Sequence, residues 1–356
     1  MKKKSKIIIL GLLAFFFLLT VTGIILFVNL TSPMSKSSKE INIVIKPGET
    51  IYDIASKLKE EKLIKNETFF IYYAKLKKAN NIYAASYYFD QNQNLDEIIN
   101  TLLEGGHNEN EIRITFNEGI NIRKIASIIE ENTNNKSKDV MNKLKDKKYI
   151  NSLIEEYWFL TKDITNKQIY YPLEGYLYPE TYFFNSKDVK VEEIFSTMLD
   201  EMATKLEPYK EKIEKSKYSI HKLMTLASIT QSEGYNEEDF KNIASVFYNR
   251  LEDNTPLGSC VTSYYGVKKE MTEELLITDI NASNAYNTRG ENPRIISVGP
   301  ISNPGIKAID AVLNPINTNY YFFVSDKNHK LYFTKNIDEH ESKISELMNE
   351  GLWYEW

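Results

Sequence analysis

The feature that most constrains this chain is an apolar run near its start. Four lysines at positions 2, 3, 4 and 6 precede residues 7–28, which carry no charged side chain. A helix of about 20 residues spans the hydrocarbon core of a membrane, so this run is long enough. A cleaved signal peptide is the alternative, but its apolar core is usually about 7–15 residues and ends in a small-x-small site. We therefore predict an uncleaved transmembrane anchor at 7–28.

The lysines also predict the orientation of that anchor. Basic residues that flank a membrane helix stay in the cytoplasm, so residues 1–6 form a cytoplasmic tail and everything after Asn29 lies outside. Residues 29–40 are rich in Ser and Lys and are interpreted as a tether. The predicted localisation is the cell membrane, with a single span and an extracytoplasmic C-terminal part.

Composition excludes several classes of function. The chain has 356 residues and a net charge of −5, which gives no basic surface for nucleic acid. Its single cysteine, Cys260, allows neither an intramolecular disulfide nor a thiolate zinc site. The four histidines lie far apart and no glycine-rich phosphate loop occurs. We predict no metal, no cofactor and no nucleic-acid partner.

The order of apolar and turn residues indicates an α+β protein. Three strand–turn–helix units follow one another and suggest a small α+β region at 41–135. The remainder, 136–356, contains an aromatic segment at 170–182 that Pro and Gly interrupt, and a helical region at about 190–253. Irregular structure is expected at 254–306 and a β-hairpin at 320–334.

Glu233 is the strongest catalytic candidate that residue spacing offers. Leu226 and Thr230 precede it at helical spacing on a mostly apolar face. Gly234 then ends the helix, where glycine is common. Partial burial and the negative end of the helix dipole both raise the pKa of a carboxyl group, and an acid that stays protonated near neutral pH can act as a general acid. The alternative is an ordinary exposed residue of the last turn, which spacing alone does not exclude.

Several motifs occur in the order that one family has. They are LASITQSE at 226–233, IASVFYNRL at 243–251, EGYLYPETY at 174–182, YNT at 286–288, GPISNPG at 299–305 and YFFV at 321–324. With the anchor and the KPGET turn at 46–50, this combination resembles the endolytic murein transglycosylases, or YceG-like family. The resemblance spans nearly the whole chain.

The resemblance implies a fold and a reaction. The region at 41–135 would be LysM-like, and 136–356 would be a mixed α/β catalytic domain with a lytic-transglycosylase-like site. Such an enzyme cleaves the β-1,4 bond between MurNAc and GlcNAc of peptidoglycan strands and leaves 1,6-anhydroMurNAc ends. Glu233 matches the catalytic residue and would act first as acid and then as base. The family also implies contact with the cell-wall synthesis machinery.

Aromatic and amide side chains are candidates for the groove around the acid, because sugar rings stack on aromatic faces and amides bind hydroxyls. The predicted substrate-binding residues are Tyr248, Asn249, Thr262, Tyr286, Asn287 and Asn303. Loop structure is the alternative role for Tyr286 and Asn287, and packing beside Phe247 is the alternative for Tyr248.

The chain departs from the family pattern at three informative positions. Gln231 stands where the family usually has another Glu, Cys260 stands in place of an Asp, and Arg289 follows YNT where an aromatic residue is common. These departures leave open a membrane-anchored peptidoglycan-binding scaffold that has weak activity or none. A hydrolase that gives reducing ends is a further alternative.

Overall fold

The structure is a computed structural model that describes residues 2–46, 48–79, 82–106 and 111–353, with side chains from residue 13 onward. The predicted turn at Pro47 and the histidine at 107 fall outside these residues. The chain divides into two compact units, a smaller one at 1–111 and a larger one at 112–356.

The first element is a long apolar helix, α1 (Lys2–Thr31). Its part Leu13–Thr31 has a mean hydropathy of 2.5 and no buried residue, and it is the one helix of the described residues that is long and apolar enough to cross a membrane. A membrane anchor and a signal sequence share this character. The helix extends beyond the predicted 7–28 and includes the first residues of the predicted tether.

The rest of the smaller unit is a two-stranded sheet covered by helices. Its elements are β1 (Glu40–Ile45), α2 (Ile51–Glu60), α3 (Glu67–Leu76), β2 (Ala85–Asp90) and α4 (Leu95–Glu104). The strands pair antiparallel, with Ile43 opposite Tyr87. Alternate residues of β1 are buried, as expected for a strand with one face on a core. The first two predicted strand–turn–helix units are therefore confirmed as secondary structure.

The larger unit contains most of the helices. Its elements are β3 (Ile112–Thr115), α5 (Ile122–Asn132), α6 (Ser137–Lys145), α7 (Lys147–Glu156), β4 (Thr181–Phe184), α8 (Val191–Leu206), α9 (Lys210–Glu214), α10 (Ile220–Glu233), α11 (Glu237–Glu252), α12 (Cys260–Gly266), α13 (Ile277–Ile280), α14 (Ile306–Leu313), β5 (Phe322–Ser325), β6 (Leu331–Thr334) and α15 (Ile337–Asn349). The antiparallel pair β5 and β6 confirms the predicted hairpin.

The third predicted strand–turn–helix unit exists, but it belongs to the larger unit. Strand β3 pairs antiparallel with β4, and Ile114 lies opposite Tyr182. The division at 111/112 therefore differs from the boundary at 135/136 that the sequence suggested. The reason is a strand partner far along the chain, which the repeated local pattern does not show.

Helix α10 lies at the centre of the larger unit. All but one of its residues from Ile220 to Thr230 are buried, including the polar Thr225 and Ser228, and it packs against α11, α12 and α14. This differs from the single apolar face expected from the sequence. Polar side chains in such a helix need partners, and Ser228 has them: its hydroxyl donates to the Thr225 carbonyl and accepts from the Ile301 N–H at 3.1 Å.

Helix α12 was not expected in the region at 254–306. Its residues from Val261 to Gly266 are buried, so the helix forms part of the core rather than a surface loop. It carries no strong sequence signal because it has only 7 residues. It nevertheless places Ser259 and Cys260 next to the end of α10.

Candidate active site

Glu233 is the last residue of α10, and its side chain is partly buried. The glycine after it has a different role from the predicted one. Gly234 has a φ of −105°, which is not the left-handed conformation that favours glycine at a helix end. A Cβ there would lie 2.6 Å from a ring carbon of Phe240, so glycine is needed because α11 packs closely.

Ser259 is the hydrogen-bond partner of Glu233. Its hydroxyl donates to the Oε1 atom of Glu233, which leaves Oε2 free of a protein donor among the hydrogen bonds of the described residues. Ser259 is itself held in place, since its N–H donates to the Thr288 hydroxyl at 3.1 Å and its carbonyl accepts from Thr262 at 2.7 Å. The donor is thus fixed by a buried layer of hydroxyl groups behind it.

Burial raises the pKa of Glu233, and this is the largest effect on that carboxyl. The Ser259 donor and the positive charge of Arg289 oppose it and lower the pKa. Within the described part of the chain no basic side chain forms an ion pair with Glu233 at 4 Å or less. The carboxyl is therefore neither in open water nor neutralised by a cation in contact, and it keeps the raised pKa that a general acid needs.

The loop 299–305 forms another wall beside α10. Ser302 donates to the Ser228 carbonyl at 3.0 Å and lies 3.1 Å from the hydroxyl of Ser232. The side-chain oxygen of Gln231 accepts from the Gly305 N–H at 2.9 Å. Gln231 thus links the last turn of α10 to this loop, just before the start of α14.

A second buried carboxyl, Glu174, joins distant parts of the unit. It is 1% exposed, and its oxygens accept from the Ile122 N–H, the Tyr265 hydroxyl and the Asn303 amide at 2.8 to 3.1 Å. Burial raises the pKa of Glu174 to about 7, although these donors lower it. Its oxygens are all occupied by protein donors, so we assign it a supporting role.

Two predicted substrate-binding residues lie behind the donor. Thr262 is fully buried, and its hydroxyl contacts the Ser259 carbonyl and Thr288. Asn287 is 3% exposed, accepts from Ser263 and donates to the carbonyls of Ile280 and Ala282. Both side chains are therefore buried and take part in the hydrogen bonds that support the Ser259 donor.

Two more of the predicted substrate-binding residues, Tyr286 and Asn303, are buried in the core. Tyr286 packs on Tyr170 with ring centroids 4.6 Å apart, and its hydroxyl accepts from the Tyr170 N–H. The amide of Asn303 accepts from the N–H groups of Gly175 and Leu177 and donates to Glu174. Neither side chain is exposed, because buried polar atoms here satisfy one another.

The last two predicted substrate-binding residues, Tyr248 and Asn249, lie on α11. Tyr248 stacks on Tyr218 and donates to the Val312 carbonyl at 2.7 Å, while Asn249 donates to the carbonyls of Thr318 and Tyr320. Both line a cavity of about 680 Å³, and Glu233 is not among its lining residues. Contact of these six residues with substrate remains a prediction, and the structure supplies no direct contact surface for the buried four.

Sequence reasoning missed the residues that surround Glu233. Ser259 and Arg289 reach it from loops, and Tyr235, two positions later, is 54% exposed and packs on His329 with ring centroids 4.6 Å apart. The only signal for Ser259 was its place before a short buried segment. No cluster of three metal-ligating side chains occurs among the residues with described positions.

Comparison with known proteins gives a consistent result. Residues 43–346 match the YceG-like family. The endolytic murein transglycosylase of Bacillus subtilis is 38% identical over 314 residues, which cover 88% of this chain and 86% of that protein. The endolytic murein transglycosylase of Streptococcus pneumoniae D39 is 28% identical over 89% of this chain, which spans 60% of that longer protein.

A solved structure of a similar protein also matches this chain. The crystal structure of a putative YceG-like protein from Listeria monocytogenes has a TM-score of 0.60 and 32% identity, and the match covers 86% of this chain and 100% of that one. Glu233 is thus a partly buried carboxyl with a raised pKa and a hydroxyl donor, on a mixed α/β fold. The chain belongs to the YceG-like family of endolytic murein transglycosylases. This confirms the resemblance seen in the motifs.

Proposed function

We propose that this protein is a membrane-anchored endolytic transglycosylase that cleaves the β-1,4 bond between MurNAc and GlcNAc in nascent peptidoglycan strands. The observation that carries the proposal is the state of Glu233, which is partly buried, holds a raised pKa and accepts a hydrogen bond on one oxygen only. This leaves one carboxyl oxygen to deliver a proton. The family membership supplies the substrate class.

The reaction needs one carboxyl group because the substrate provides its own nucleophile. Glu233 donates its proton to the glycosidic oxygen, and the bond from that oxygen to C1 of MurNAc breaks. The C6 hydroxyl of the same MurNAc then attacks C1 and returns its proton to Glu233. A 1,6-anhydro ring and a free GlcNAc 4-hydroxyl result, and no water is consumed. Intramolecular attack lowers the entropic part of the barrier.

Ser259 serves the second half of this cycle. After Glu233 has lost its proton, the carboxylate accepts the Ser259 hydrogen bond, and a donor to a charged group is stronger than one to a neutral group. The threonine layer behind Ser259 holds the donor in place throughout. The side chain therefore stabilises the anion that must later act as base.

We propose that α1 is retained as a single-pass anchor, with the lysines at its N-terminal end in the cytoplasm and everything after Asn29 outside. We further propose that the region at 41–135 is LysM-like and holds the glycan strand, and that partners in cell-wall synthesis meet the enzyme at the membrane. Each of these proposals is based on the family to which the chain belongs.

A digest of purified glycan strands tests the proposal. The full chain in detergent should release products with anhydroMurNAc ends, and Glu233→Gln should reduce the rate at least about a hundredfold, because a positioned general acid contributes that much or more. Glu238→Gln is the matched control: Glu238 is exposed and lies in the first turn of the next helix. Its activity should equal that of wild type.

The product masses separate the alternatives. Reducing ends, heavier by one water, identify a hydrolase and contradict the transglycosylase proposal. Binding of strands without any product, in wild type and Glu233→Gln alike, identifies a scaffold. Equal loss of activity in Glu238→Gln shows that the effect is not specific to Glu233.

A further inference from the structure

Arg289 is an exposed cation next to the proposed catalytic acid. Its backbone N–H donates to Asn287, and the preceding Thr288 contacts the Ser259 layer, so the loop holds Arg289 at the site. The guanidinium Nη1 lies 2.8 Å from the Cys260 sulfur. Cys260 directly follows the residue that donates to Glu233. Arg289 is thus exposed and lies near Glu233, whose pKa its charge lowers.

Among the described residues, no carboxylate forms an ion pair with Arg289 at 4.0 Å or less. Its one side-chain partner there is a thiol, and burial raises the pKa of Cys260, so the thiol stays neutral at physiological pH. Cys260 accepts one N–H from Arg289 and brings no negative charge to the guanidinium.

Other titratable groups lie around Arg289 on several elements of the larger unit. Arg250 on α11 is a second cation, which spends its donors on the carbonyls of Pro256 and Tyr321. His340 on α15 has a lowered pKa because it is buried and lies near both arginines, so it stays neutral at pH 7. Glu233 on α10 is the acid in their midst. The groups named are thus two cations, a neutral histidine and the Glu233 carboxyl, and Glu341 on α15 is a further acidic group beside His340.

We propose that Arg289 binds a carboxylate carried by the glycan strand beside the bond that is cleaved, and that this chain selects anionic strands in that way. The inference rests on the proposed function. Arginine suits the task because its planar fork matches a carboxylate with two parallel hydrogen bonds. Two sources share this chemistry: the lactyl carboxylate of MurNAc without a peptide, and the carboxylates of the stem peptide.

The same contact couples substrate binding to acid catalysis. In the free enzyme the charge of Arg289 lowers the pKa of Glu233. A bound carboxylate cancels that charge, so Glu233 holds its proton more firmly when an anionic strand is present. The acid is then protonated when the glycosidic bond reaches it. A strand whose carboxylates are amidated does not have this effect.

Binding measured in the Glu233→Gln background tests the inference without turnover. Three labelled strand types serve as probes: peptide-free strands, strands with stem peptides, and peptide-bearing strands whose carboxylates are amidated. With the full chain in detergent, adding Arg289→Gln should weaken binding of at least one carboxylate-bearing type about tenfold, as expected for an exposed charge-assisted pair. Binding of amidated strands should not change, and Arg289→Lys should restore part of the loss.

The carboxylate-bearing type that weakens identifies the source. Arg113→Gln is the control, because Arg113 is also an exposed arginine of the larger unit. Equal binding of all three types, or equal weakening of all three by Arg289→Gln, overturns the inference. Because no product is measured, this outcome is separate from failure of the digest.

The pH dependence of kcat/KM distinguishes an electrostatic role of Arg289 from a purely structural one. Removal of the positive charge raises the pKa of Glu233, so the high-pH limb of kcat/KM should move to higher pH in Arg289→Gln and stay near wild type in Arg289→Lys. An unchanged limb in both variants contradicts the coupling. Thermal unfolding of each variant establishes that the fold is intact.

Discussion

Protonation of the buried Glu174 should set much of the pH dependence of stability in the larger unit. The pKa of this carboxyl is about 7 in the folded protein, whereas its ordinary value is 4.5. A tenfold difference in proton affinity corresponds to about 1.4 kcal/mol. The folded state therefore binds this proton more tightly than the unfolded state. The stabilisation is fully present below pH 4.5 and is lost as the pH rises through about 7, a change of about 3 kcal/mol in the free energy of unfolding.

The variant Glu174→Gln removes this titration. Its amide nitrogen must face one of three donors, from Ile122, Tyr265 and Asn303, so we expect a loss of about 1–3 kcal/mol at pH 5. Since wild type loses stability between pH 4.5 and 7 and the variant does not, the difference between them should shrink or reverse by pH 7.5. Denaturant unfolding across this range measures it.

Tryptophan fluorescence is a suitable probe, because all three tryptophans lie in residues 112–356. Other buried groups also titrate, such as His221, whose burial lowers its pKa and whose effect has the opposite sign. These groups titrate in both wild type and variant, so their contribution cancels in the difference between the two free energies of unfolding. Glu180→Gln, at an exposed position of the same segment, is the control. Parallel curves for wild type and Glu174→Gln between pH 5 and 7 would refute the reasoning.

Two further changes test the end of α10. Ser259→Ala removes the donor that favours the Glu233 anion, so the high-pH limb of kcat/KM should move to higher pH. The control Ser263→Ala, one turn further along α12, should leave this limb in place. A shift of the limb to lower pH in Ser259→Ala contradicts the assignment. Gly234→Ala places a Cβ against Phe240 and should lower the free energy of unfolding by about 1–3 kcal/mol, whereas a neutral effect in thermal unfolding would show that α11 can move aside.

Local pattern predicted the elements that depend on near neighbours. The order of apolar and turn residues gave the strand–turn–helix unit that begins with β1, and it gave the hairpin of β5 and β6. These signals act over a few residues, so they can be recognised without knowledge of the fold.

Groove-lining residues could not be predicted in the same way. Asn303, Asn287 and Tyr286 have the amide and aromatic groups that bind sugars, but the same groups also satisfy buried backbone atoms. Residue type does not distinguish an exposed amide from a buried one. The division of the structure at 111/112 could not be predicted for a related reason, since the partner of β3 is the distant strand β4.

The sequence by itself determined the long apolar helix, the candidate acid Glu233 and the family, because hydrophobic runs, helical spacing and ordered motifs are properties of the chain. Only the tertiary structure decided the surroundings of that acid. Ser259 and Arg289 approach Glu233 from segments that are distant in sequence, and burial raises its pKa only when α10 is enclosed. Hydrogen-bond partners and desolvation depend on which distant segments meet, and that is fixed by packing of the whole unit.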